Sequence, residues 1–296
     1  MADTALETAD RHYETSLDGN DVRLVVADMD GTLLLDDHTV PDEFWPLLQR
    51  MREAGVEFTP ASGRQYATLA KLFERDSAGM SFIAENGTFV VRDGKEVSSL
   101  TLDDAFIRKA IALLRGLIDA GHDLGVVLCG KKSAYIERGD DVFIAEARNY
   151  YEALTVVDDM LDTDDEYVKI AVYDFAEVET GAAAEVDELR ESHRVVVSGH
   201  HWMDIMPPEA NKGLAVRQLQ ERLGVTAAQT AVFGDFFNDV EMFAEAERSY
   251  AMAGAHPEVK EIARYLAPSN QEQGVVTVVS ALLDARAPLG AAHVRL

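Results

Sequence analysis

Two aspartates stand two positions apart in Asp28-Met29-Asp30-Gly31-Thr32-Leu33, directly after the apolar run Val22 to Ala27. Carboxylates at that spacing leave a strand on the same side and can meet at one metal ion or one substrate. Gly31 lets the backbone turn and brings amides close to an anion. Taken alone, the segment reads equally as an acidic turn after a strand. Three other segments add to it. Thr59-Pro60-Ala61-Ser62-Gly63-Arg64 sets a hydroxyl and amides ahead of a helical pattern, the makings of a phosphate cradle. Asn211-Lys212-Gly213 opens a second helix, and Gly234-Asp235-Phe236-Phe237-Asn238-Asp239 ends a later strand with more carboxylates.

Arg64 and Lys212 are placed against simple stability. Each lies at or near a helix start, where the macrodipole is already positive and a cation costs roughly 0.3–1 kcal/mol. In a chain with 53 acidic and 27 basic residues, two such cations suggest an anion between them. The alternative is an exposed charge tolerated at small cost.

The elements that must carry these residues follow from hydrophobic period and punctuation. Val22–Ala27, Val56–Ala61 and Ser81–Ala84 read as strands, with helices over about 42–54 and 66–75 between them. That order predicts a Rossmann-like α/β parallel sheet with right-handed crossovers. From Thr88 the rhythm changes to a hairpin about Asp93-Gly94, a helix over 103–120, strands over 124–129 and 133–137, and a helix over 141–152. A strand over 167–173, a helix over 177–192 and a strand over 195–198 complete an α+β block. After Trp202–Met206 the α/β rhythm returns through a helix over 212–223, strands over 230–234 and 249–252, and a helix over 240–246. The expected organisation is a core of residues 21–87 and 200–296, interrupted by an inserted α+β cap over 88–199, behind a flexible extension of residues 1–20.

A formal net charge of −26 repels nucleic acid and anionic membranes, so neither is expected as a partner. The same field repels phosphorylated metabolites, so a phosphate site needs local positive charge. Residues 1–20 are acidic and polar, without a basic-then-apolar signal pattern. The one cysteine, Cys129, excludes an intrachain disulfide and fits a reducing cytoplasm. It ends an apolar run and reads as core rather than nucleophile.

The order Asp28-x-Asp30-Gly-Thr, Ser62-Gly-Arg, Lys212-Gly and Gly-Asp235-x-x-Asn238-Asp239 resembles the haloacid dehalogenase superfamily, and more closely its Cof-type phosphatases of subfamily IIB. Ile83-Ala84-Glu85-Asn86-Gly87 and the segment from Ser269-Asn270 to Gly274 are similar to further parts of that family. The resemblance runs from about Val22 to Leu283 and implies Mg²⁺-dependent hydrolysis of a small phosphate ester, a sugar phosphate first. It implies Asp28 as nucleophile and Asp30 as acid and base, with a pKa raised toward neutrality. Asp28, the main chain of Asp30 and Asp235 are implied as the metal ligands. Met29, Ser62, Gly63, Lys212 and Asn238 are implied on the phosphate, and Arg64, Asn86 and Asp239 around it. Two departures stand out: Phe236 replaces a small residue after the metal-binding aspartate, and Met252-Ala253-Gly254-Ala255 lacks the asparagine often found in that loop.

Other groups read more plainly. Asn238 also starts a capping-box pattern with Glu241. His200-His201 reads as an interdomain loop, Lys131-Lys132 as a solvated hairpin tip, and the acidic run Asp158–Glu166 as a solvated loop without EF-hand spacing. A sugar phosphomutase or dedicated sugar-phosphate phosphatase with the same nucleophile, and a non-catalytic phosphometabolite sensor, are the competing readings.

Overall fold

The computed structural model describes residues 21–286; the extension expected over residues 1–20 lies outside them. Strands β1 (Leu24–Ala27), β2 (Glu57–Pro60), β3 (Ser81–Ala84), β4 (Phe89–Arg92), β5 (Lys95–Ser99), β6 (Leu124–Gly130), β7 (Ala134–Ile136), β8 (Leu154–Val156), β9 (Tyr167–Asp174), β10 (Arg194–Val197), β11 (Trp202–Met206), β12 (Thr230–Gly234), β13 (Arg248–Met252) and β14 (Tyr265–Ala267) form the sheets. The helices are α1 (Phe44–Glu53), α2 (Tyr66–Leu72), α3 (Asp104–Asp119), α4 (Asp141–Ala147), α5 (Asp187–Arg190), α6 (Lys212–Leu223), α7 (Val240–Ala244), α8 (Pro257–Ile262) and α9 (Gly274–Asp284). No helix among the described residues is long and apolar enough to cross a membrane. The chain divides into two compact units, Met1–Thr59 with Leu219–Leu296, and Pro60–Gln218.

The first unit is built on a sheet of order β14-β13-β12-β1-β2. β1 pairs parallel with β12, β12 with β13 and β13 with β14. β1, β12 and β13 are buried along their whole length. A sheet covered on both faces explains unbroken apolar runs rather than alternation. Gly55 closes α1 at φ +66°, the left-handed turn that glycine supplies without strain.

The second unit holds a six-stranded sheet, β10-β11-β9-β6-β7-β8, and a three-stranded one, β3-β4-β5. β6 and β9 pair antiparallel at the centre of the larger sheet. Val126 and Leu128 pack on one face with Phe106, Ile107 and Ile111 of α3. Val127 and Cys129 pack on the other with Phe143 of α4 and Tyr151. Burial pushes the Cys129 thiol well above its usual pKa, which leaves it a core residue.

The structure departs from the sequence reading in four places. β3 pairs antiparallel with β4, and its parallel link is a single bridge, Ala61 to Ile83. The helix expected over 177–192 is one short turn, Ala182–Ala184, followed by α5. Asp174 is the cause: its Oδ1 and Oδ2 accept the Ala176 and Ala182 amides at 2.9 Å each. The first i−4 bond, from Gly181 to Glu177, still forms, but Asp174 takes the Ala182 amide in place of the Val178 carbonyl. α4 stops at Ala147, where the chain turns and the Tyr150 and Tyr151 amides both donate to the Ala147 carbonyl. α7 begins at Val240 with Asp239 at its N-cap, one residue beyond the Asn238 expected there.

Gly125 of β6 has no room for a side chain, since an added Cβ would lie 2.0 Å from the Phe143 ring. Phe143 is fully buried and cannot swing away. Gly125→Ala is expected to destabilise the second unit by about 1–3 kcal/mol, the usual range for overpacking. A urea transition unchanged from the parent protein would mean that this face repacks freely.

Candidate active site

In the first unit, Ala27 at the end of β1 is registered with Phe233 of the parallel neighbour β12. Asp28 and Asp235 therefore leave adjacent strands at their carboxyl ends, where ligands bind in open α/β sheets. The Asp28 amide donates to the Phe233 carbonyl at 3.0 Å, which holds the two exits together. Carboxylate oxygens of Asp28, Asp235 and Asp239 lie within 4.8 Å of one another. Asp28 and Asp239 are buried, at 7% and 0% exposure. At an effective dielectric of ~20 each like-charged pair at that distance costs about 3–4 kcal/mol. A divalent cation is the simplest relief, and all-oxygen donors suit a hard ion.

The loop after β1 is shaped around Asp235. Gly31 stands at φ +77°, and an added Cβ would lie 2.4 Å from Asp235 Oδ2. Thr32 donates its hydroxyl to Asp235 Oδ1 at 3.1 Å. Asp239 Oδ2 accepts the amides of Asp235 and Phe236 at 2.9 and 3.2 Å. Asp239 thus braces the Asp235 turn while lending an oxygen to the acidic group. The Asp30 side chain is 41% exposed and contacts His38, with 3.1 Å from Nδ1 to Oδ1. Met29 is fully buried, so its side chain is not offered to an anion. Asn238 lies in the single turn Phe237–Asp239, half-buried, between two exposed phenylalanines and the buried Asp239. Phe236 and Phe237 pack edge to face at 5.3 Å, and Phe237 lies 4.6 Å from the His256 ring.

In the second unit, Ser62, Gly63, Asn86 and the start of α6 form one group. An added Cβ on Gly63 would lie 3.1 Å from the Asn86 amide, and one on Gly87 would lie 2.4 Å from the Asn211 carbonyl. Gly87 also stands at φ +95°, so no other residue fits there without strain. Asn211 caps α6 through Oδ1, which accepts the Leu214 amide at 2.7 Å, and Lys212 follows at the first helical position. Lys212 is only 1% exposed. A buried ammonium at a helix's positive end is unfavourable twice over unless anions answer it.

Arg64 is drawn elsewhere in the same unit. Its Nη1 donates to the Asn149 carbonyl at 2.8 Å, and the guanidinium lies 5.4 Å from the Tyr150 ring centroid. The Gln65 amide and Thr68 hydroxyl take the carbonyls of Ala153 and Tyr150 at 3.0 and 2.8 Å. The other sequence candidates are accounted for locally. Lys131 pairs with Glu96 and Glu166, and Lys132 Nζ donates to the Asp164 carbonyl. His201 Nδ1 lies 2.9 Å from the Asp174 carbonyl.

Sequence reasoning missed Lys169 and Asp204. Lys169, in the middle of β9, is 2% exposed and pairs with Glu85 at 2.7 Å and Asp204 at 3.3 Å. Burial alone would depress the Lys169 ammonium, but Asp204 and Glu85 more than offset it and hold its pKa well above the usual value. The available signal was one charge inside each of two apolar strands, Val168-Lys169-Ile170 and Met203-Asp204-Ile205.

Gly31 and Gly55 both stand in the left-handed region, but nothing lies within 4 Å of a Cβ on Gly55. Alanine at Gly55 is expected to cost only the backbone strain, on the order of 1 kcal/mol. Gly31→Ala must also displace Asp235 and is expected to cost at least ~1 kcal/mol more. Equal shifts in the denaturation midpoints of the two variants would show that the loop does not grip Asp235.

Residues 25–279 match the model of a family described as haloacid dehalogenase-like hydrolase. An Escherichia coli protein named 5-amino-6-(5-phospho-D-ribitylamino)uracil phosphatase YbjI is 34% identical over 271 residues, covering 90% of this chain and 98% of its own. An HMP-PP phosphatase of Cronobacter sakazakii is 28% identical over 239 residues, covering 80% of this chain and 86% of its own. Among solved structures, SMU.1108c from Streptococcus mutans superposes with a TM-score of 0.79 at 26% identity, covering 89% of this chain and 99% of its own. With a family match over most of its length and relatives named as phosphatases, this chain belongs to the haloacid dehalogenase-like hydrolases and is a phosphatase of that family.

Proposed function

We propose that the protein is a Mg²⁺-dependent phosphatase that moves the phosphoryl group of a small metabolite onto Asp28 and then to water. The observation that carries this reading is the crowding of Asp28, Asp235 and Asp239 within 4.8 Å, with two of the three buried. Their oxygens fit a hard divalent ion, and Asp28, Asp235 and the main chain of Asp30 would hold it, with Asp239 bracing or joining the set. Bound Mg²⁺ would offset the clustered negative charge and polarise the phosphoryl oxygens.

The chain's own groups have distinct tasks. Asp28 attacks phosphorus, forming an Asp28–phosphorus bond as the ester oxygen leaves. Being ionised at neutral pH, it needs no base to activate it. Asp30 gives its proton to the departing alkoxide and later takes one from the water that attacks the aspartyl phosphate, releasing phosphate and restoring Asp28. Exposure of Asp30 beside His38 suits a group that must meet first the leaving alkoxide and then the attacking water. Ser62, Gly63, Lys212, Asn238 and the Met29 main chain are assigned to the phosphoryl oxygens, as donors to charge that redistributes in the transition state. Asn86 braces the Ser62 loop, and residues 88–199 act as the cap that selects the organic part of the substrate. A reducing cytoplasm belongs to the same reading, with Cys129 as a buried core thiol.

A phosphorylated sugar or sugar alcohol is the substrate class this reading favours. The E. coli relative's name specifies a phosphoribityl compound, which makes 5-amino-6-(5-phospho-D-ribitylamino)uracil the first compound to assay. In a panel of phosphorylated metabolites with Mg²⁺, sugar and sugar-alcohol monoesters should be turned over fastest. Asp28→Asn should abolish cleavage of an aryl phosphate; full activity in that variant, or in chelator, would sink the covalent mechanism. Asp30→Asn should slow alkyl phosphates far more than aryl phosphates, whose leaving groups need no proton. Equal losses on both would remove Asp30 from the acid role.

Mg²⁺ should also raise the melting temperature of the wild type, by the equivalent of about 2.7 kcal/mol at a hundredfold excess over Kd. Asp235→Asn should lose most of that increment, and an unchanged increment would place the ion elsewhere.

A further inference from the structure

Three successive carbonyls of the Ser62 loop are taken by other segments of the chain. The Ser62 carbonyl accepts the Asn86 amide at 2.9 Å, and the Arg64 carbonyl accepts the Glu85 amide at 3.0 Å. Between them the Gly63 carbonyl accepts Lys169 Nζ at 2.9 Å. A trans peptide points its N–H opposite to its carbonyl, so this anchoring sets where the Arg64 amide points. That amide donates to Ser62 Oγ at 3.2 Å. A hydroxyl oxygen that accepts there keeps its own proton to donate elsewhere.

The groups around Lys169 are costly to keep. Glu85 and Asn86 both adopt left-handed backbone conformations, at φ +51° and +57°. Asn86 donates its side-chain amide to Asp204 Oδ2 at 2.8 Å, while Asp204 Oδ1 faces Lys169. Glu85 is 1% exposed, and its Oε1 has no hydrogen-bond partner among the described residues. Buried charges of this kind often stabilise a fold no better than apolar side chains would. Two strained residues, an orphaned carboxylate oxygen and a buried ammonium meeting at one carbonyl indicate a role beyond stability.

We infer that Lys169 is a positioning residue for phosphate binding, acting on the Ser62 hydroxyl through the Gly63–Arg64 peptide. The chain of donors runs from Lys169 Nζ to the Gly63 carbonyl, from the Arg64 amide to Ser62 Oγ, and from the Ser62 hydroxyl to a phosphoryl oxygen. A cation at one end polarises each bond along such a chain. Glu85 and Asp204 keep the ammonium charged and aimed. Lys169 itself never touches the substrate. The inference rests on the phosphatase reading above, which assigns Ser62 to the phosphate.

The test compares wild type, Lys169→Met and the neutralised variant Lys169→Met/Glu85→Gln/Asp204→Asn by calorimetry with inorganic phosphate in Mg²⁺. Melting temperature and aryl phosphate kinetics are measured alongside. Unfolded protein lowers the calorimetric stoichiometry, not the affinity of the molecules that bind. Lys169→Met should lose stability and about tenfold in phosphate affinity, the weakening of one charge-assisted hydrogen bond. The neutralised variant should regain most of the stability, yet stay about tenfold weak for phosphate, with KM raised more than kcat is lowered. Affinity that returns together with stability would show a purely structural cluster and overturn the inference. Wild type that neither binds phosphate nor cleaves the ester would instead overturn the phosphatase reading, and this inference with it.

Discussion

The constraint from which much of this protein follows is the packing of carboxylates at the ends of two adjacent parallel strands. β1 and β12 are in register, so Asp28 and Asp235 leave the sheet side by side. Parallel pairing fixes that proximity regardless of the 200 or so residues of chain between them. The sheet is buried on both faces, and that burial holds the strand ends still. Gly31 and Gly234 follow as steric necessities, since an added Cβ would meet Asp235 at 2.4 Å or Asp239 at 2.5 Å. The turn chemistry of Asp-Gly-Thr and Gly-Asp is therefore a matter of space as much as of backbone angle.

The second unit solves a different problem, that of holding a loop whose amides and hydroxyl must be available. It does so from behind, by occupying carbonyls. Asn86, Lys169 and Glu85 each take one, and Gly87 brings the same segment against the start of α6. The left-handed pair Glu85-Asn86 is strained, and the side chains of both residues are tied into the Lys169 cluster.

Much of this was legible in the sequence. Asp28, Asp30, Asp235, Ser62 and Lys212 were all singled out from residue type and position at strand or helix ends. The strands that carry the acids were found from apolar runs. Where reading failed, the cause was a long-range contact. The helix expected over 177–192 was broken by Asp174, a residue outside it. The third strand of the presumed parallel sheet turned to an antiparallel partner because the following hairpin offered one. Lys169 and Asp204 went unread because each is a lone charge in an apolar strand. Such a charge gains meaning only when its partner, 35 residues away in this case, is seen beside it.

The contacts between residues 64–68 and 149–153 are made almost wholly to main-chain atoms on the second segment. Gln65 both donates to the Ala153 carbonyl and accepts its amide, so one side chain stands in for a missing strand. Arg64 and Thr68 address the carbonyls of Asn149 and Tyr150 in the same way. Side chains at 149 and 153 are thus freer to drift than those at 64, 65 and 68, because every residue except proline presents the same carbonyl and amide. Inheritance of this joint is one-sided. Related chains can rewrite one partner while the other carries the burden of staying constant.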